Sequence, residues 1–513
     1  MAKEKNSASN IFRAYDIRGV FPSDLNETTA ENIGRAYAQT IAGKNVKQVL
    51  VSHDVRLSSP QLALAFIKGV AGIAGIRIAF AGMLPLGAAL FHACKTDSEL
   101  AYVTASHLPP EWAGMKFFHP SGAGWLENEN NALHDAFRQN AAVNSPPEPE
   151  HTQILVHEEG EAAAAPHKEY IQVHKDGKFV APRKIEHRKH TVIDPETIAA
   201  NYMRHLISKI RPSRKLRVVL DCGNGAASTV APKLFALVGF DIKALWAQPD
   251  GRFPNRSPDP HTDPLERLKE AVRSERASLG IAYDGDGDRM TIIDDNGSTL
   301  APERTAYFIL TELLKSAKGP IVANVECTRL IDDIAQRFGR EVIRVPVGHT
   351  YLMDGVNTHK AAFGLEVSGH YALPALVPFD DALAISYYLA CVLARQEKKL
   401  SEIVSEMPSY PFERINFICA DEQKFSLIEA LKQKLNQRYP NINDMDGLRI
   451  DFPDGWVLIR ASNTEPKIRL TIEANNQARF DELKAEFSAL LEKELKDFYK
   501  PSIFAKLRKM LKR

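Results

Sequence analysis

Cysteine is scarce in this sequence. Five thiols are spread over 513 residues (Cys94, Cys222, Cys327, Cys391, Cys419), an odd count with no CxxC pair. Reduced, mostly buried thiols in a cytoplasmic protein are the expectation. A chain of this length buries several cores and needs no disulfide or metal staple. An excess of either charge is also missing, since 65 Lys and Arg stand against 64 Asp and Glu. Without a global basic field, nucleic acid is not expected as the main partner. The opening MAKEKNSASN lacks the apolar stretch of a signal peptide. The most apolar early stretch, Leu62 to Met83, is broken by Lys68, Arg77 and several glycines, so no transmembrane span is expected. Glycine (29) and proline (30) are near average, which excludes collagen-like and wholly disordered chains. With 44% hydrophobic and 25% charged residues, the sequence reads as about three or four globular domains.

One local plan recurs: a β-branched run, small polar residues, then a helical pattern. Lys47-Gln-Val-Leu-Val-Ser-His-Asp leads into Ser59-Pro60 and the series Leu62, Leu64, Phe66, Ile67. Leu216-Arg-Val-Val-Leu-Asp-Cys-Gly-Asn-Gly leads into Ala231 to Val238, and Ile321-Val-Ala-Asn-Val-Glu-Cys-Thr leads into Leu330 to Phe338. Strands alternating with helices predict an α/β architecture with largely parallel sheets. Residues 144–193 depart from this plan. They are polar and Pro-rich, with a short strand expected at Tyr170-Ile-Gln-Val, and read as a linker or surface insertion. After residue 499, Ile503, Phe504, Leu507, Met510 and Leu511 form an apolar stripe opposite Lys506, Arg508, Lys509, Lys512 and Arg513. Such a basic amphipathic tail suits weak docking on an anionic membrane or a protein, or folds back on its own domain.

Four segments carry chemistry. Asp284-Gly-Asp-Gly-Asp-Arg289 sits between two predicted strands, and three carboxylates at alternate positions repel one another unless a hard cation lies among them. Mg²⁺ suits this loop, because it takes few carboxylates and prefers phosphate oxygens for the rest. A calcium EF-hand does not, for lack of flanking helices. Thr104-Ala-Ser-His107 ends an apolar run, with Lys116 ten residues beyond the serine. Beside a metal loop, a serine oxygen can accept a phosphoryl group whose charge a lysine offsets. Arg460-Ala-Ser-Asn-Thr-Glu-Pro-Lys-Ile-Arg469 gathers two arginines, hydroxyls and an amide, a set suited to a phosphate. Gly364-Leu-Glu-Val-Ser-Gly-His370 offers Glu366 and Ser368 to adjacent sugar hydroxyls, with Gly348-His349 upstream.

Together with Ile11-Phe-Arg-Ala-Tyr-Asp-Ile-Arg-Gly19, Asp221-Cys-Gly-Asn-Gly, Pro249-Asp-Gly-Arg-Phe-Pro-Asn255 and Cys327-Thr-Arg329, these segments resemble the α-D-phosphohexomutase superfamily. The resemblance is greatest to its bacterial phosphomannomutase/phosphoglucomutase branch and covers nearly the whole chain. It implies an α/β fold of four domains around a central cleft: three related mixed-sheet domains and a smaller α+β C-terminal domain. The expected boundaries are 1–143 for a phosphoserine domain, 194–297 for a metal domain, 298–408 for a sugar-recognition domain and 409–498 for a phosphate-binding domain. The insertion 144–193 and the tail 499–513 complete the chain.

The resemblance further implies a mutase interconverting hexose 6- and 1-phosphates of mannose or glucose. Ser106 would be the phosphoserine and, with Asp284, Asp286 and Asp288, would hold Mg²⁺. A hexose 1,6-bisphosphate would serve as intermediate and activator. His107, Lys116, Arg18, Arg289 and His370 would surround the transferring phosphoryl group, with Lys116 and His370 moving protons. Tyr15, His349, Glu366, Ser368, Arg460, Ser462, Asn463, Thr464 and Arg469 would bind the substrate. The chain departs from the family pattern at Leu108 and Ala113, where asparagines are usual, and at Glu326, where close relatives tend to have lysine. Three alternatives stay open: a phosphoglucosamine mutase, a weakened sugar-phosphate-binding relative, and a phosphatase using Asp284 as nucleophile.

Overall fold

Three of the sheets are built on a strand flanked by two parallel neighbours, and that strand is in each case one of the three runs singled out above. The computed structural model describes residues 11–44, 46–71, 76–143, 171–175, 178–183, 190–462 and 466–510, with backbone alone at 141–143, 171–175, 178–183 and 499–510. The chain divides into two units, Met1–Ala301 with Ser368–Glu402, and Pro302–Val367 with Ile403–Arg513.

In the first unit, β1 (Ile17–Val20), β2 (Gln48–His53), β3 (Arg77–Met83), β4 (Glu99–Val103) and β5 (Trp112–Phe118) form one sheet. A hairpin of β6 (Ile171–Lys175) and β7 (Lys178–Arg183) follows, and then β8 (Thr191–Val192) adds to the far edge of that sheet, giving the order β1-β5-β4-β2-β3-β8. β2 is parallel to both β3 and β4, while β5 runs antiparallel to β4 and β1. The second sheet, of β9 (Arg217–Asp221), β10 (Asp241–Leu245), β11 (Leu279–Tyr283) and β12 (Met290–Asp294), has order β10-β9-β11-β12 and the same directions. Both β2 and β9 are covered on two faces, so they read as continuous apolar runs rather than alternating ones. The first core centres on stacked Tyr37 and Trp125 (ring centroids 5.1 Å apart) with Phe66 and Phe117.

Residues 368–402 pack with the first unit although they fall within the stretch 298–408 expected for the third domain. They hold β16 (Tyr371–Ala372) and the helix Ala382–Leu393, whose residues are buried almost all round. Asp381 caps that helix by accepting from the Leu383 and Ala384 N–H groups. The Tyr387 hydroxyl donates to the Ile210 carbonyl, and Ser386 Oγ lies 2.7 Å from the Tyr283 hydroxyl.

The second unit contains β13 (Ile321–Asn324), flanked by parallel neighbours β14 (Val342–Val345) and β15 (Phe363–Leu365). It also holds an antiparallel sheet of β17 (Phe412–Ile418), β18 (Leu448–Phe452), β19 (Gly455–Ala461) and β20 (Lys467–Ala474), ordered β17-β20-β19-β18. The helices Asp421–Asn436 and Gln477–Met510 cover it through Leu427, Leu431, Phe487 and Leu491. The last helix runs without a break past residue 499, and the side chains of the basic tail lie outside the described residues. So does the segment 144–170 of the insertion. Cys222, Cys327, Cys391 and Cys419 are buried and Cys94 is half-buried. Among the described residues, no helix is long and apolar enough to cross a membrane.

A pH-sensitive clamp closes the first sheet. His119, just beyond β5, has Nδ1 3.1 Å from Glu99 Oε1 and Nε2 3.0 Å from Glu129 Oε2. Burial opposes the imidazolium, but hydrogen bonds to Glu129 and Glu99 outweigh it and raise His119 from 6.5 to about 9. For Glu129 burial works upward, and the His119 contact outweighs it and lowers the carboxyl from 4.5 to about 2. A raised histidine stabilises fully below its unfolded value, and that contribution is lost as pH rises through its folded value. The stability difference between wild type and H119Q, read from urea unfolding, is therefore expected to be flat from pH 4.5 to 6.5 and to shrink between pH 6.5 and 9. A difference constant up to pH 9 contradicts the clamp.

Candidate active site

Ser106 sits in the turn that follows β4, with a left-handed backbone (φ 49°) that few serines adopt. Its N–H donates to Thr104 Oγ1 at 2.8 Å, and that hydroxyl lies 2.8 Å from Asp54 Oδ2 and 3.0 Å from Asp286 Oδ2. Its carbonyl accepts from Arg56, the principal residue here that sequence reasoning missed. The Arg56 side chain is fully buried, and each of its five N–H groups has a partner. Nε donates to Asp54 Oδ2, Nη1 to the Pro109 and Trp112 carbonyls, and Nη2 to the Ser106 and Leu108 carbonyls, all between 2.6 and 3.1 Å. One guanidinium thus holds four carbonyls of the serine loop. The sequence signal was faint: an Asp-x-Arg triplet at the end of a buried strand. Leu108 enters this network through its backbone, and Ala113 is buried in β5.

The Asp loop joins β11 to β12 and touches the serine loop backbone to backbone. A Cβ at Gly285 would lie 2.4 Å from the Ser106 carbonyl oxygen, so no larger residue fits there. Asp284, Asp286 and Asp288 are all buried, and each offers an oxygen within 4.8 Å of the others. Ser106 Oγ donates to Asp284 Oδ2 at 2.9 Å. The other Asp284 oxygen accepts the Gly287 and Arg289 N–H groups. Lys116, on β5, reaches Asp288 Oδ2 at 2.6 Å and Asp286 Oδ2 at 3.1 Å. Arg289 reaches Asp284 Oδ2 at 3.3 Å and donates to Ser106 Oγ at 3.4 Å. His107 Nδ1 is 3.4 Å from the same oxygen. His370 Nε2 lies 3.6 Å from Asp288 Oδ1, and its Nδ1 is 2.9 Å from Ser368 Oγ. Arg18 is half-buried on β1 and paired with Asp16, and Tyr15 lies half-buried in the preceding bend.

The charges here are strongly coupled. Burial raises the Asp284 carboxyl, and Asp288 and Asp286 push it the same way. For Asp288, burial is outweighed by Lys116 and His370, and the carboxyl falls. Burial works against charge on Lys116, but Asp286 and Asp288 outweigh it and keep the ammonium charged. His107 is lowered by burial and by Arg289 and Arg18, so its ring is neutral. The donor set fits a hard cation. Three carboxylates face two cations, and the buried Asp286 Oδ1 has no hydrogen-bond partner among the described residues.

The remaining expected site residues lie in the second unit. Glu366, 2% exposed, accepts the Gly348 N–H at 2.5 Å and the Asn324 side-chain N–H at 3.2 Å. His349 begins the helix His349–Thr358 directly after that glycine. Arg460 and Arg469 are register partners on β19 and β20, and Ser462 follows β19. Asn463 and Thr464 lie outside the described residues. Two carboxylates attend these arginines: half-buried Asp446, which the sequence reading passed over, and buried Glu326, noted there only as a departure.

Comparison with known proteins matches four family descriptions in order along the chain. They are the phosphoglucomutase/phosphomannomutase alpha/beta/alpha domains I (residues 9–144), II (200–297) and III (301–410), and the C-terminal domain (415–490). A phosphomannomutase/phosphoglucomutase of Pseudomonas syringae pv. tomato is 31% identical over 497 residues, spanning 96% of this chain and 97% of its own. A probable phosphoglucosamine mutase of Methanosarcina acetivorans is 31% identical over 467 residues, spanning 91% and 96%. The crystal structure of a phosphoglucomutase/phosphomannomutase family protein from Burkholderia thailandensis matches with a TM-score of 0.78 at 26% identity, over 95% of this chain and 98% of that one. Matched by all four domains in order and by relatives over more than nine-tenths of its length, this chain belongs to the phosphoglucomutase/phosphomannomutase family.

Proposed function

We propose that the chain is a phosphohexomutase that interconverts the 6- and 1-phosphates of glucose and mannose through phosphoserine at Ser106 and a hexose 1,6-bisphosphate. The observation that carries this reading is the 2.9 Å hydrogen bond from Ser106 Oγ to Asp284 Oδ2, inside a buried cluster of three carboxylates and two cations. Asp284, Asp286 and Asp288 are the residues that would hold Mg²⁺, which when bound supplies charge stabilisation to phosphoryl oxygens. The electrostatic sum supports both groups together. Three carboxylates with Lys116 and Arg289 leave one net negative charge, and a phosphoserine adds up to about two more. Only a cation makes that sum tolerable in a dry site.

In the first transfer the Ser106 Oγ–P bond breaks as a substrate hydroxyl oxygen bonds to phosphorus; in the second, after the bisphosphate has turned, Ser106 Oγ bonds to the other phosphorus as that phosphoryl group's bond to the sugar oxygen breaks. We assign His370 as acceptor of the substrate hydroxyl proton. Lys116, held charged by Asp286 and Asp288, opposes the charge on the equatorial oxygens, and Arg289 and Arg18 act in the same sense. Neutral His107 presents Nδ1 to the serine oxygen. Glu366 is assigned to sugar hydroxyls with His349 and Ser368, and Arg460, Ser462 and Arg469 to the phosphate that does not react. Asn463 and Thr464 belong to the same assignment, and Tyr15 is assigned to the substrate beside the transferring phosphoryl group. A phosphatase using Asp284 as nucleophile is disfavoured, because both oxygens of that carboxylate are already engaged by backbone amides, Arg289 and Ser106.

Replacing Ser106 with Ala is expected to lower kcat for glucose 1-phosphate by about 10³-fold or more, whereas a phosphatase with an Asp284 nucleophile would keep its activity. With glucose, mannose and glucosamine 1-phosphates compared in a coupled assay, the first two should be the better substrates, and preference for the amino sugar would overturn that choice. For Arg56 the expected role is positioning the serine loop. R56K keeps one charge but loses the five-donor fork, so kcat should fall by about 10–100-fold with KM for the sugar phosphate within twofold. An equal effect on KM would place Arg56 in substrate binding instead.

A further inference from the structure

The arginines assigned to the distal phosphate are already paired with the protein's own anions. Arg460 and Arg469 stand directly opposite one another across β19 and β20, on one face of the sheet. Like charges in that position are mutually destabilising unless an anion lies between them. Glu326, two residues beyond β13, supplies it. Its carboxylate Oε1 is 3.3 Å from Arg469 Nη1 and 3.9 Å from Arg460 Nη1, and its side chain is 3% exposed. Asp446 Oδ1 lies 2.9 Å from Arg460 Nε. Among the described residues, two carboxylates thus already pair with the two arginines.

The two carboxylates differ in how they are held. Asp446 is anchored, because its second oxygen accepts the Val347 N–H at 2.8 Å. Glu326 makes no hydrogen bond among the described residues except the one from Arg469. Glu303, also buried in this unit, repels it electrostatically. Arg469 is the more open of the two arginines, at 25% exposure against 7%. An incoming anion thus meets Arg469 first, at the closer of the two arginine contacts of Glu326.

We propose that Glu326 is a specificity-determining residue of the distal phosphate site, a stand-in anion that substrate phosphate exchanges for on Arg469 and Arg460. This rests on the reading of those arginines as the phosphate grip. The exchange weakens phosphate binding, because a dianion cannot take the arginines while a buried carboxylate stays between them. It also assists release. A bisphosphate that must let go with one phosphate and return with the other leaves behind a charge pair rather than two bare, opposed arginines. The grip is tuned for turnover over affinity.

The test is isothermal titration of inorganic phosphate into wild type, E326Q, R469Q and the double variant R469Q/E326Q, each first shown folded by thermal melting. E326A replaces E326Q if the amide variant does not fold. Any phosphate bound near Ser106 is common to all four proteins, so their differences report the grip. E326Q is expected to bind phosphate about tenfold more tightly or better, since one negative charge is removed within 4 Å of both arginines. KM and kcat for glucose 1-phosphate should both fall in E326Q, the mark of stronger ground-state holding and slower release. R469Q should lose affinity, and the double variant should regain most of it. If E326Q binds phosphate no more tightly than wild type while R469Q binds it less well, the grip stands and the exchange is refuted. If R469Q binds phosphate as wild type does, the grip reading fails and the proposal falls with it.

Discussion

Crowded like charge in a dry site is the constraint on which the rest of the first unit depends. Asp284, Asp286 and Asp288 are at most 1% exposed, and no strand or helix brings three carboxylates so close without cost. The fold meets that cost from several directions. β5 delivers Lys116 between Asp286 and Asp288, the loop itself delivers Arg289, and backbone amides of Gly287 and Arg289 turn toward Asp284. The serine loop then adds its hydroxyl to the same carboxylate. The partners come from three elements, so the cluster ties β5, the turn after β4 and the β11–β12 loop into one framework.

Ser106 is held through its own backbone amide and carbonyl. Its left-handed conformation is sustained by Thr104 on the amide side and Arg56 on the carbonyl side, while Gly285 leaves room for the two loops to touch. This explains how the loop accommodates Leu108 and Ala113. Arg56 grips carbonyls at 106, 108, 109 and 112, and a carbonyl is present whatever the side chain. The polar groups that asparagines would bring to the loop are absent, but the scaffold does not hang on them.

Much of this was legible in the amino-acid sequence, for definable reasons. β2, β9 and β13 were readable as strands because burial on both faces makes them continuous apolar runs, and their shared place between two parallel neighbours explains why the three segments looked alike. The Asp loop and the serine turn were readable because alternating acid and glycine, or a serine after a buried strand, are rare patterns with specific chemistry. Arg56 was not readable, since a fully buried arginine looks like any surface arginine until its carbonyl partners are in place. Glu326 was visible only as an odd residue. Its meaning depends on two arginines that lie 134 and 143 positions away in sequence. Nor was the company of residues 368–402 foreseeable. The helix Ala382–Leu393 is apolar all round and carries no stripe to indicate which core it joins.

The central claim is that Ser106 carries the phosphoryl group. Its most direct test is peptide mass mapping after incubation with glucose 1,6-bisphosphate and Mg²⁺. The account predicts a mass increase of about 80 Da, one phosphoryl group, confined to the peptide containing Ser106 and absent in S106A. An unmodified Ser106 peptide, or the same increase on the peptide containing Asp284, would contradict it.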